Sequence, residues 1–144
     1  MLSELSEIFV RDLDRLRDEI KSFESEEDLW LRKEGISNSA GNLAMHITGN
    51  LQHFIGHVLG NSGYQRNRDA EFNSRVSRSV LLSEIDLTKS SVATTLQNLS
   101  SEDIQAEFPI QVIGRTMSTK FFLMHLSGHL NYHLGQINYY RRLK

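Results

Sequence analysis

Apolar residues recur every three or four positions along most of the chain. Leu2, Leu5, Phe9, Leu13, Leu16, Ile20 and Phe23 form one stripe, with Glu, Asp, Arg and Lys on the opposite side, which predicts a helix over 2–23. A second helix is expected over 39–59, opened by Ser37 or Ser39 as cap and ended by Gly60-Asn61-Ser62-Gly63. A third spans 80–99, with Leu81, Ile85, Val92, Leu96 and Leu99 facing inward. The last runs over 118–142, with Ser118 as its cap. Between them, residues 24–38 break the period and read as a connection, with Leu29, Trp30 and Leu31 pinned to the core. Residues 60–79 form a polar connection, long enough at ~3.3–3.6 Å per residue to join two parallel helices. Residues 100–117, which hold the only proline, read as an extended excursion or short hairpin. The expectation is one all-α domain over 1–144, a four-helix bundle.

The chemistry lies in two histidine stripes. Of six histidines, His46, His53 and His57 lie in the second helix, and His125, His129 and His133 follow at four-residue spacing in the last. Stepping 100° per residue, Asn50 falls in the stripe of the first group and Gln136 in that of the second. Residues four apart on a helix bring their Cβ atoms to about 5–6 Å, close enough for two imidazoles to share an ion. A buried polar group left unpaired costs about 1–3 kcal/mol, so such rows are poor filler for a core. Leu130 stands where a zincin motif, HExxH, needs its glutamate. Neither helix contains Asp or Glu, which excludes Glu-x-x-His di-iron chemistry and leaves no local carboxylate base. Neutral nitrogen ligands with an open fourth position suit zinc or nickel.

Composition narrows the rest. The chain has no cysteine, so disulfides, thiolate ligands and an internal cysteine nucleophile are excluded. A net charge of −2 gives no general attraction to nucleic acid or anionic lipid, and no apolar run reaches the ~18–20 residues of a membrane span. A cytoplasmic protein is the expectation. Arg66, Arg68, Arg75 and Arg78 sit in the long connection with Asp69 and Glu71, either as a salt-bridged loop or, for Arg66 and Arg68, as an anion clamp.

Three segments carry a family resemblance: SAGNLAMHITGNLQHFIG around His46, RNRDAEF in the long connection, and GHLNYHLGQINYYRR at the end. The chain resembles the DinB/YfiT superfamily over nearly its whole length. That resemblance implies a bundle in up-down-down-up order and often a homodimer. It also implies a divalent metal held by one histidine of the second helix and an HxxxH pair of the last, here His46, His129 and His133. His125, Gln136 and Asn50 are then alternative or supporting residues, while His53 and His57 lie too far along the axis to share that ion. Relatives include thiol-dependent transferases, so a low-molecular-weight thiol is the implied co-substrate. Two functions remain open: a metal-dependent transferase joining a thiol to a small electrophile, and a non-catalytic metal-binding or stress-associated bundle.

Overall fold

The structure, a computed structural model, describes residues 1–143. It is all-α, and among the described residues there is no strand. Helix α1 (Leu2–Ser22) is followed by a single 3-10 turn (Glu27–Trp30). Helix α2 (Ala40–Leu51) continues without a break into a π-helix (Gln52–Leu59). Then come α3 (Arg68–Asn73), α4 (Arg78–Asn98), α5 (Ser101–Gln105) and α6 (Thr119–Arg142).

The four long helices coincide with the four apolar periods. Leu5, Phe9, Leu13, Leu16 and Ile20 of α1 are all buried, as are Leu81, Ile85, Val92 and Leu96 of α4. Burying each such side chain is worth about 1.5–3 kcal/mol. Ser39, not Ser37, caps α2 through the Asn42 N–H at 3.1 Å, and Ser118 caps α6 through that of Phe121 at 3.1 Å.

Cross-helix pairs give the directions. Arg17 meets Asp86 while Asp14 meets Lys89, so α1 and α4 run antiparallel. Asn131 donates to Asp12 and Asn138 to Glu19, so α1 and α6 run parallel. Gln52 donates to Glu84, while an added Cβ would touch Ser91 at Gly56 and Thr95 at Gly60, so the second helix and α4 run parallel. His46 faces His129 and Phe54 faces Phe122, so the second helix and α6 run antiparallel. The order is up, down, down, up.

The structure differs from the apolar reading in four places. The second helix changes to π-winding at Gln52, where i→i+5 bonds put more residues in each turn. The constant 100° step therefore misphases His53 and His57 relative to His46. The connection read as irregular contains α3, whose six residues are too few to show an apolar period. The excursion begins with α5, held by a capping box in which Ser100 and Asp103 satisfy each other's backbone N–H. After α5 it closes as a narrow hairpin, as the sequence allowed, pairing Glu107 with Ser118 and Val112 with Arg115. Finally, Leu29 is buried but Leu31 is 50% exposed, because the chain leaves the 3-10 turn extended and turns Leu31 outward.

Candidate metal centre

His46 lies on the face of α2 turned to α6, and His129 and His133 lie one turn apart on α6. The His129 Nε2 is 3.1 Å from His46 Nε2 and 3.2 Å from His133 Nε2. The ligand atoms of all three lie within 4.8 Å of one another, and no other group of three His, Cys, Asp or Glu side chains with such spacing occurs among the described residues. His46 is buried and the other two are half-buried.

Two of the rings are held in a fixed tautomer. The Nδ1–H of His46 donates to Glu71 Oε1 at 3.0 Å, and that of His133 donates to Gln136 Oε1 at 2.7 Å. Those bonds leave the Nε2 lone pairs of both residues free, each facing the His129 Nε2 at 3.1 and 3.2 Å. Two imidazole nitrogens each ~2.0–2.1 Å from one ion at a tetrahedral angle would be about 3.3 Å apart. The observed 3.1 and 3.2 Å match that spacing, so the donor set fits a divalent ion.

Glu71 is the residue that the sequence reading missed. No carboxylate lies on either histidine helix, yet one reaches the site from α3. Asn67 caps α3 by accepting the Ala70 N–H, and Asn42 of α2 donates to the carbonyls of Glu71 and Ser74 at 3.0 and 3.1 Å. These bonds press α3 against α2 where Gly49 leaves room; a Cβ there would lie 2.0 Å from Glu71 Oε2. Arg66 grips the same carboxylate, Nε to Oε2 at 2.9 Å and Nη2 to Oε1 at 3.0 Å. Burial pushes the Glu71 carboxyl up, but hydrogen bonds from His46 and Arg66 outweigh it and hold the carboxyl below its usual range. The signal in the sequence was a glycine amid bulky residues on the core side of α2, opposite an acid in a capped hexapeptide.

The other expected residues sort as follows. Gln136 touches the site through His133. Asn50 is buried one turn beyond His46, and its Oδ1 has no partner. His125 is exposed and stacks on Phe122, 5.9 Å between centroids, outside the cluster. Arg66 is engaged by Glu71, and Arg68 lies over the Phe72 ring at 5.2 Å. His53 packs on Phe54, and His57 accepts the Gly63 N–H to close the turn after the π-helix.

Burial, then the neighbouring His133 and His46, push the His129 pKa down from 6.5 to about 4. Burial also lowers His133, against a hydrogen bond to Gln136 that raises it. These rings are neutral, as ligation requires, through the physiological range. On unfolding they regain an ordinary pKa near ~6.5 and bind protons that the fold refuses. The metal-free protein is therefore expected to be most stable above pH ~6.5 and to lose stability as pH falls from there toward 4. Thermal melts between pH 8 and 4 read this directly. A slope unchanged in His129→Ala would contradict it.

The sequence matches, over residues 2–143, a family described as "Protein of unknown function (DUF1572)". No curated protein matches it. Among solved structures, the fold is similar to that of a DinB-like protein from Bacillus cereus ATCC 10987, with a TM-score of 0.72. The match covers 91% of this chain and 84% of that one at 17% identity, a likeness of fold.

Proposed function

The chain belongs to the DUF1572 family and has a DinB-like fold, and from that premise we propose that His46, His129 and His133 hold a divalent metal, zinc or nickel, in a transferase that joins a low-molecular-weight thiol to a small electrophile. The observation that supports this is the convergence of three imidazole Nε2 atoms, two of them with lone pairs aimed by Glu71 and Gln136. Bound there, such an ion would supply Lewis acidity and hold a thiol as thiolate near neutral pH.

The chain's own groups do the rest. Glu71 accepts a hydrogen bond from the His46 Nδ1–H, keeps that ring in one tautomer and would offset the charge of a bound ion across the imidazole. Arg66 keeps Glu71 ionised and in place. Gln136 orients His133. With no cysteine in the chain, the sulfur nucleophile must come from outside.

The test supplies several reduced thiols and a chromogenic electrophile to zinc-loaded wild type and to His129→Ala. The wild type is expected to accelerate conjugation with at least one thiol, and the variant to return to the uncatalysed rate. Equal rates in both, for every thiol, would leave the protein as a non-catalytic metal-binding bundle.

A further inference from the structure

Beside the histidine cluster lies a cleft of 730 Å³, between the loop before α2, the start of α2 and the last turns of α6. That volume is within the roughly 300–1,000 Å³ of typical small-molecule sites. One wall is His133 with Gln136, so the cleft and the cluster share a side chain. The other walls are mostly aliphatic and aromatic, with Ile36, Ile137, Tyr132 and Tyr139 among them, while Ser37 and Asn38 add uncharged polar groups.

Among the described residues, no side chain lining the cleft carries a formal charge. Two cations near it are engaged on aromatic faces, Lys33 over Tyr140 at 5.2 Å and Arg142 over Tyr139 at 5.9 Å. The Tyr140 hydroxyl donates to the Leu31 carbonyl and offers no free proton. An anionic ligand would find no charged side chain in the cleft wall, and the two cations nearby are already seated on aromatic faces. A flat apolar ligand would cover rings now in water, since Tyr132 is 66% and Tyr139 63% exposed.

We propose that this cleft binds an uncharged, aromatic or apolar small molecule, the electrophilic partner of the reaction at the histidine cluster. Its role as the reacting partner rests on the functional reading above; the binding itself does not.

The test uses the full chain with N-phenyl-1-naphthylamine, an uncharged fluorescent probe, and its sulfonated analogue 1-anilinonaphthalene-8-sulfonate. Gly135 lies at the border of the cleft and of the groove beside Arg15 and Asn138, and a Cβ there would meet nothing within 4 Å, so Gly135→Leu adds bulk at the cleft's border without disturbing the core. Saturable binding of one neutral probe per chain is expected, at least ~10-fold tighter than the sulfonate and at least ~10-fold weaker in Gly135→Leu. Tyr139→Ala, which removes an exposed ring, should also weaken it. Absent or unsaturable binding overturns the proposal, as does equal binding of the sulfonate or indifference to both substitutions. Probe displacement by dimer formation at higher protein concentration would make a second copy the occupant and overturn it too. Zinc content, measured on the same samples, reads the metal site separately: a chain that binds the probe but no zinc refutes the functional reading and keeps the cleft.

Discussion

His133→Ala is expected to strip the protein of stoichiometric metal, while His125→Ala retains it. Both residues sit on α6, with His129 between them in sequence, and the helical spacing alone ranks them equally. The structure separates them. His133 directs its Nε2 to the His129 Nε2 at 3.2 Å and fixes its tautomer on Gln136. His125 is exposed and stacks on Phe122. Removing one of the three proposed ligands would take away one of three protein–metal bonds, and even a lost residue that only orients a ligand costs about 10–100-fold in affinity. Loss of His133 should exceed that. Elemental analysis after dialysis against a weak chelator gives the answer. Metal retained by His133→Ala and lost by His125→Ala would move the site one turn toward the N-terminus of α6.

Most of the fold could be read from the sequence because each long helix carries its own apolar period, and packing needs little else. The α1 stripe from Leu5 to Ile20 is buried as its spacing predicts. The two histidine stripes were legible from their spacing, but spacing alone did not pick three residues of six; the choice of His46, His129 and His133 came from the family resemblance, and the fold brings those three side chains together. What escaped depends on contacts between segments distant in sequence or on local winding. The π-winding from Gln52 to Leu59 leaves no apolar signature, since a change of phase looks the same as a slightly wider stripe. Helix α3 is too short for a period, and it is held by Asn42, twenty-nine positions from Glu71. Glu71 itself reads as one more acid among arginines until Gly49 is seen to make room for it.

Glu71→Ala is expected to cost both stability and metal affinity, and Gly49→Ala to reproduce the loss with Glu71 still in the chain. Glu71 is only 4% exposed, and its carboxylate accepts bonds from His46 and from two nitrogens of Arg66. Removing one partner of a buried ion pair costs about 3–5 kcal/mol, and the toll here is expected at or below the low end because Arg66, on a loop, can turn to water. Without Glu71 the His46 ring is free to flip or change tautomer, so zinc should bind about 10–100-fold more weakly. Glu71→Gln keeps the shape and one acceptor oxygen but not the charge, and belongs between wild type and alanine. At Gly49 the added methyl would lie 2.0 Å from Oε2 and 2.7 Å from Cδ of Glu71, so the carboxylate must leave. Gly128→Ala is the control. Gly128 is exposed, its Cβ would meet nothing within 4 Å, and losing a helical glycine should stabilise the protein by roughly 0.5–1 kcal/mol. Denaturant melts and competitive zinc titrations on the four variants read both quantities. A Gly49→Ala protein with wild-type zinc affinity would show that the carboxylate packs beside His46 without governing it, and the role given to Glu71 would fall.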